Sequence, residues 1–520
     1  MDSITVRDMR ILEENSAFLG ISNLLLMENA GKAVADFVSK LMGSSTKGKR
    51  ILVVAGLGNN GGDGFVAARH LAIKSFDVTV ILAGKPGEIR TYEAQTNFYI
   101  LRNMEHTVRI KVLSNIGDIE VLEKEVEEAD VIVDSLLGIG IKGRVREPYA
   151  TIIEIINRAK AIKVAVDVPS GLNADTGEPC GVAVKADYTI TFHKLKRGLA
   201  DNPYAGRVIV ADIGIPKEAE IIVGPGDLRC CLKKRAPESK KGDYGRILVI
   251  GGSRDFSGAP ALTALAALRM GADIVILYVP EVISTAVRAF SPNLIVNTYC
   301  GDYFNEKAAK NALNIAEKCD VIALGPGLGL REEVREAVIS FISRLEKPLV
   351  IDADGLKSLR GKLSVLRDKS VVLTPHAGEY KIIFGEEPPK DCTERIRAVK
   401  EKAKEVGVTI LLKGPRDVIS DGLRVKINHT GNASMTVGGT GDVLTGVVAT
   451  FLAWGNEPFE AACAGAFLNG LLGDYVASTK GAHILATDLI DAIPSVTSKI
   501  LEEVEVGERS INFLKNIGLI

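Results

Sequence analysis

The segment GLGNNGGDG (56–64) places five Gly, two Asn and one Asp directly after the apolar run RILVVA. Gly56, Gly58 and Gly61 fit a GxGxxG spacing, in which a turn brings backbone N–H groups to an anion at a helix N-terminus. An ordinary dinucleotide fold also needs an acid at the end of the next strand. Here the next apolar run ends ILAGKPGE, and Asp77 stands at its start, so that reading is disfavoured. The other reading gives Asn59, Asn60 and Asp63 as side-chain ligands beside the same anion. Further on, Asp134 ends VIVD, and Asp167 ends AVD shortly before Ser170. A carboxylate at the mouth of a buried strand needs water, a partner or a cation. Beside an Asn-rich loop these groups are hard oxygen ligands for a group I or II cation. Helix capping is the alternative use of each Asp. Gly138, Gly140 and Gly143 in GIGIKGR make a second loop that an anion could approach.

A second set lies late in the chain. GGTGDVLTG (438–446) opens an apolar run, so Gly438, Gly439, Thr440 and Gly441 precede Asp442 at a helix start. N–H groups of such a turn form an anion hole, and the Asp can take a proton from a hydroxyl near a phosphate. The chain contains no GxxxxGK[ST], which disfavours a P-loop NTPase. His376 stands between Pro375 and Gly378 at the end of SVVLTP.

The elements that must carry these residues alternate along the chain. Apolar runs at 50–56, 77–84, 130–138, 161–171 and 207–215 are separated by helical patterns near 65–74, 90–104, 118–128 and 148–159. Residues before about 48 read as helical. The alternation restarts at RILVIGGS (246–253) and runs through 272–279, 320–329, 348–356, 370–379 and 408–414. Strands alternating with helices imply mostly parallel sheets covered on both faces. The expected fold is α/β: two three-layer αβα domains, at 1–220 and 221–520. The stretch ending CCLKKRAPESKKGDYG reads as a solvated connection. Motifs gather at strand ends, where open α/β sheets bind ligands.

Composition bounds the rest. A length of 520 residues suits two large domains. A net charge of −1 argues against a nucleic-acid binder. Gly numbers 52, above the usual rate of about 7%, and much of it falls in the loops after strands. No run of 18 apolar residues exists and the start is polar, so neither a membrane span nor a signal peptide is expected. Seven Cys with no CxxC point to reduced thiols in the cytoplasm. Six scattered His leave no zinc-ligand spacing.

GxGNNGGDG, DSLLGIG, DVPSGLNADTG and TFHKLKRGL together resemble the NAD(P)H-hydrate epimerase family, over about residues 1–215. That resemblance implies a Rossmann-like domain in which Asn59, Asn60, Gly61, Gly62 and Asp63 bind the hydrated dinucleotide. Gly138, Ile139, Gly140, Ile141, Lys142, Gly143, Arg144 and Tyr149 are implied in the same task. It implies K⁺ on Asn60, Asp134 and Ser170, with Asp167 a substrate-contacting proton-transfer group. Lys196 matches the lysine of an F-x-x-x-K-x-G stretch and is carried as catalytic, with surface solvation as its other reading. HKLKR departs from the more apolar, Pro-containing form of this stretch. GGTGD resembles the ribokinase-like superfamily. With GPGLG, DADGL, TPHAGE and LKG it resembles the NAD(P)H-hydrate dehydratase family, over about 236–500. Carried over, Ala259, Gly327, His376 and Asp442 line the hydrate pocket, with Asp442 the base. Lys413, Gly414, Pro415, Arg416, Asp417 and the Gly438–Gly441 turn hold the nucleotide. The fused form resembles the prokaryotic members, which implies ADP with Mg²⁺ in preference to ATP, and a homo-oligomer is expected. The implied activity is epimerisation of R and S hydrates, then dehydration of the S form, with AMP and phosphate released. Two other readings stay open at this stage. One is a small-molecule kinase with an N-terminal regulator. The other makes the N-terminal half a non-catalytic binding module.

Overall fold

A computed structural model of the protein describes residues 3–43, 46–114, 118–141 and 143–503. The chain divides into two compact units between Lys217 and Glu218. The N-terminal unit holds β1 (Ser3–Ile4), β2 (Arg50–Ala55), β3 (Asp77–Ala83), β4 (Val108–Leu113), β5 (Val131–Ser135), β6 (Ile162–Val166), β7 (Tyr188–Phe192), β8 (Leu195–Lys196) and β9 (Arg207–Ala211). Seven of them form one sheet in the order β4-β3-β2-β5-β6-β7-β9, and every neighbouring pair is parallel. The direction of travel reverses between β2 and β5, so the loops after these strands diverge and leave a crevice. β1 pairs with β8 separately, placing Ile4 beside Lys196.

Strands β2 and β5 are apolar almost throughout because both faces are covered. On one face Leu52, Val54 and Ile132 pack with Ile152, Ile153 and Ile156 from the helix Tyr149–Arg158. Burial of each such side chain is worth about 1.5–3 kcal/mol. The leader expected to be helical is β1 followed by two helices, α1 (Val6–Phe18) and α2 (Asn23–Met42), separated around Gly20 at φ +96°. α3 (Asn59–Ile73) begins inside the Asn-Gly loop itself.

The C-terminal unit carries β10 (Arg246–Ile250), β11 (Ile274–Pro280), β12 (Ile295–Tyr299), β13 (Val321–Leu324), β14 (Leu349–Ile351), β15 (Val371–Leu373), β16 (Thr409–Leu412), β17 (Asp417–Ser420) and β18 (Val425–Asn428). Their order is β12-β11-β10-β13-β14-β15-β16-β17-β18. Pairing is parallel as far as β16 and antiparallel for the last two strands. Chain direction again reverses next to the first strand, between β10 and β13. Both units are α/β layers, as expected. No described helix is long and apolar enough to cross a membrane.

The stretch expected to be a solvated connection belongs to the second unit. Val223 donates its N–H to Ile427 O at 2.9 Å, and Asp227 pairs with Lys426 at 2.5 Å. Cys231 and Tyr244 are buried. Lys233 and Arg235 lie over the Tyr244 ring, at 4.9 and 4.3 Å from its centroid. The basic run therefore clamps an aromatic ring, a use that charge composition alone does not reveal.

Candidate active sites

In the N-terminal unit a cavity of about 420 Å³ opens at the carboxyl ends of β2, β5 and β6. Asn59, Asn60, Asp63, Gly138, Ile139, Gly140, Ile141, Tyr149 and Asp167, all singled out from sequence, line it together. Gly61 and Gly62 do not. They sit within α3, where an added Cβ would meet Gly56 O at 2.1 Å or Met27 Cε at 2.6 Å. Both pack the helix start closely. Gly143 and Arg144 also lie off the cavity, and Arg144 packs on Gly181. Lys142 lies outside the described residues. The first intrahelical bond of α3 runs from Gly62 N–H to Gly58 O, so the N–H groups of 59–61 precede the ladder, as an anion site requires.

Asp167 follows β6 at φ +64°, a left-handed conformation that Asp tolerates better than most residues. Its N–H is held by Ile190 O at 2.8 Å. Its Oδ1 accepts from Lys196 Nζ at 2.5 Å, Thr191 Oγ1 at 3.1 Å and Phe192 N–H at 3.1 Å. Lys196 is fully buried, donates also to Phe192 O at 2.8 Å, and is positioned by the β1–β8 pair. Surface solvation of this lysine is thus excluded.

Asp134 is fully buried. Its two oxygens accept from Ser170 Oγ at 2.5 Å and Ser170 N–H at 2.8 Å. Burial pushes its carboxyl up to about 6 despite those bonds. Ser170 Oγ in turn accepts from Leu137 N–H at 2.8 Å, fixing the start of the 137–141 loop. Asn60 donates to Val166 O at 2.8 Å, while its Oδ1 is buried without a donor. An orphaned buried oxygen costs about 1–3 kcal/mol. A bound cation relieves that cost, so the residues present fit a K⁺ ion on Asn60, Asp134 and Ser170.

Among the lining residues that sequence reasoning passed over, which include Asn23, Arg90 and Thr91, are Arg10 and Glu13 on α1. Nothing in the run RDMRILEEN separates them from a solvated helix face. Glu13 is pushed up to about 7, by burial first and next by the charge of Asp167. Asp63 is raised well above the ordinary carboxylate range, again by burial first and Asp167 second.

In the C-terminal unit the strand ends converge on Asp352, which follows β14 and is 2% exposed. Its oxygens accept from Lys413 Nζ at 2.8 Å and Thr445 Oγ1 at 2.7 Å. Burial alone would raise it, but Lys413 and the hydroxyl hold it below the ordinary range. Lys413 Nζ is also 4.0 Å from Glu379. Asp442 lies in the first turn of the helix Thr440–Ala453. Burial and the nearby Asp352 charge push it up to about 7, with Lys413 pulling the other way. The helix is entered through Gly439 at φ +98°. Thr263 Oγ1 donates to Asp442 O at 3.1 Å and Ala259 O at 3.2 Å, tying Ala259 to the same helix start. Gly327 faces Ala259, with 3.6 Å between an added Cβ and that of Ala259.

His376 caps the helix Ala377–Phe384, its Nδ1 accepting from Gly378 N–H at 3.0 Å and Glu379 N–H at 3.3 Å. Burial and Lys413 lower its pKa, favouring the neutral ring. Lys413 N–H donates to Pro375 O at 2.8 Å, which fastens this cap to the end of β16. Asp417 spends its carboxylate on the protein: Oδ1 accepts from Gly414 N–H at 3.0 Å and Oδ2 from Asn428 at 3.0 Å. It shapes the 413–417 turn, whose residues Gly414, Pro415 and Arg416 are exposed. Asp352, Glu379 and Thr445 went unassigned in the sequence. DADGL at a strand end was the available signal for Asp352.

A family model described as NAD(P)H-hydrate dehydratase matches residues 247–495. Another, described as YjeF-related protein N-terminus, matches residues 23–198. A protein of Pyrobaculum aerophilum named bifunctional NAD(P)H-hydrate repair enzyme is 48% identical over 504 residues, covering 95% of this chain and 98% of its own. One of Archaeoglobus fulgidus with the same name is 46% identical over 495 residues, covering 95% and 98%. A solved structure of the ADP/ATP-dependent NAD(P)H-hydrate dehydratase from Bacillus subtilis, co-crystallised with ATP and Mg²⁺, is similar at 29% identity. It covers 54% of this chain and 98% of that one, with a TM-score of 0.48.

Proposed function

The chain belongs to the family of bifunctional NAD(P)H-hydrate repair enzymes, and from that premise we propose that its two units act in succession on one damaged cofactor. The N-terminal unit interconverts the R and S hydrates. The C-terminal unit dehydrates the S form at the expense of a nucleotide, ADP in preference to ATP, which enters as its Mg²⁺ complex. We assign the domains as 1–220 and 221–520.

The observation that carries this reading is the glycine-entered helix start that sets Asp442 beside the Lys413–Asp352 pair, with the Cβ position of the neighbouring Gly441 3.3 Å from Lys413 Nζ and 3.7 Å from Asp352 Oδ2. Asp442 takes the proton of the hydrate hydroxyl as the terminal phosphoryl group passes to that oxygen. Its raised pKa suits a base working near neutrality. Lys413 and the N–H groups of Gly438–Gly441 offset the charge that develops on the phosphoryl oxygens. Thr445 and Lys413 keep Asp352 charged, and its repulsion maintains the basicity of Asp442. Phosphate then leaves far more readily than hydroxide, and the dihydronicotinamide is restored. Ala259, Gly327 and His376 take the hydrate. Residues 413–417 take the nucleotide, with Asp417 shaping the turn.

In the N-terminal cavity Asn59, Asn60, Asp63, residues 138–141 and Tyr149 hold the hydrate, and Asp167 moves the proton. Lys196 positions Asp167 through its bond to Oδ1. Asn60, Asp134 and Ser170 would hold K⁺. When bound, the ion adds positive charge beside the loop that receives the dinucleotide.

The test is product analysis on pure S hydrate with Mg²⁺ and ADP. One NADH, one AMP and one inorganic phosphate per hydrate support the reading. A stable phosphorylated hydrate with no NADH would instead identify a kinase.

A further inference from the structure

The epimerase cavity contains one acid for which neither the resemblance nor the reading above has a use. We propose that Glu13 is its second proton-transfer group, working as the partner of Asp167. The inference deepens the epimerase reading and rests on it.

Glu13 is placed by a well-anchored helix. Thr5 caps α1, with a capping box to Asp8. Val6 N–H donates to Asp175 Oδ1 at 2.8 Å. The β1–β8 pair sets Ile4 beside Lys196 just before the helix begins. Met9 and Leu12 are buried in the core, whereas Arg10 and Glu13, three residues apart on one face, line the cavity. Glu13 makes no hydrogen bond among the described residues that would give it a structural task.

Its charged surroundings are uneven. Asp63 on α3 and Asp167 after β6 line the same cavity, and Lys196 on β8 is already bound to Asp167. Arg10 and Glu14 lie next to it on its own helix. Burial first, and the Asp167 charge second, disfavour a further anion here and push the Glu13 carboxyl up to about 7. Asp167, by contrast, is bound at 2.5 Å to the fully buried Lys196. Two acids in unlike surroundings, one bound to a lysine and one not, share one cavity, the arrangement that acid–base catalysis needs.

The reaction calls for such a pair. In the hydrate one carbon carries both the hydroxyl and the ring nitrogen, and its configuration separates R from S. Asp167 takes the hydroxyl proton. The carbon–nitrogen bond breaks, its electron pair goes to nitrogen, and Glu13 gives nitrogen a proton. The open form is an aldehyde, with no net gain or loss of protons or electrons. Rotation presents the other face of the carbonyl carbon. Closure reverses the transfers: nitrogen returns its proton to Glu13, and Asp167 returns its proton to oxygen.

The experiment follows pure R hydrate equilibrating with S between pH 5.5 and 9, using the full chain. Wild type, Glu13→Gln and Glu13→Asp are compared, with dehydration of S and thermal melting measured on each. Glu13→Gln is expected to lose about 10²–10⁴-fold in epimerisation kcat, with dehydration of S unchanged. Glu13→Asp is expected to keep part of the rate, with its pH limb displaced from that of wild type. A Glu13→Gln enzyme within twofold of wild type, or altered only in KM, would overturn the proposal. If Glu13→Gln melts early, the Glu13→Asp limb decides, and an undisplaced limb overturns it. A wild-type enzyme that does not equilibrate the epimers overturns the epimerase reading and this proposal together. Epimerisation that persists in Glu13→Gln overturns this proposal alone.

Discussion

Lys196 Nζ lies 2.5 Å from Asp167 Oδ1, and the lysine has no exposed surface. The pair is closed off on the protein side by Thr191 and Phe192 and faces the cavity through Asp167. Lys196→Met leaves a buried carboxylate without its counter-ion. Such a loss costs about 3–5 kcal/mol. Chemical denaturation should therefore show the N-terminal unit destabilised by that amount. Epimerisation should be lost and dehydration of S kept.

As the proposed base, Asp442 should set an acid limb for dehydration. Its pKa is raised to about 7, so the basic form is present above that pH and is lost as pH falls through it. The dehydration kcat should fall about tenfold per unit below pH 6 in wild type. Asp442→Asn should lose about 10²–10⁴-fold at pH 8 and show no such limb. The same shift has the opposite sign for stability. The folded state binds the proton more tightly than the unfolded one between the unfolded pKa and about 7, so this group favours folding increasingly as pH falls through that window.

Potassium should compete with protons. Asp134 titrates at about 6, and its charged form is the one that would hold the ion. Replacing K⁺ by tetramethylammonium should abolish epimerisation without affecting the nucleotide-independent fold of the C-terminal unit. Raising K⁺ should raise the melting temperature of the N-terminal unit at pH 8, through binding to the folded state alone. At pH 5 that gain should shrink. An equal gain at both pH values would remove Asp134 from the ion's ligands.

Gly64 shows how tightly the first turns of α3 pack against β5. An added Cβ would stand 2.1 Å from Ser135 Oγ and 2.7 Å from Ser135 Cβ. Gly64→Ala should destabilise the N-terminal unit by about 1–3 kcal/mol, the usual cost of overpacking. Thermal melting and hydrogen exchange across β5 read this directly.

The two parallel sheets were legible because β2, β5, β10 and β13 are continuous apolar runs followed by glycine. β1, β4, β7, β8, β12, β17 and β18 were passed over. β4, β12, β17 and β18 lie at or near the sheet edges, where residues such as Arg109 and Asn297 face solvent and dilute the pattern, whereas β7 is interior and its Tyr188–Phe192 run is broken by two buried Thr. In the site, Asn60, Asp134, Asp167 and Ser170 stood out because they follow strands. Glu13 did not, since it sits mid-helix among other charges, and only the tertiary fold brings α1 to the cavity. Lys413 was read as a nucleotide ligand from its place in LKG. Its reach to Asp352 spans 61 residues of sequence and depends on β14 and β16 flanking β15. Gly61 and Gly62 also pack the helix start, a use that looks the same in sequence as backbone approach to a ligand.

The central claim is that two sites on one chain act in succession, and a mixture of R and S hydrates tests it most directly. With saturating Mg²⁺ and ADP, dihydronicotinamide absorbance should rise until the whole mixture is converted, faster than spontaneous epimerisation allows. Asp167→Asn should give a fast phase equal to the S fraction and then only the spontaneous rate. A wild-type trace that stops at the S fraction, or one in which hydrate disappears without restored absorbance, would contradict the account.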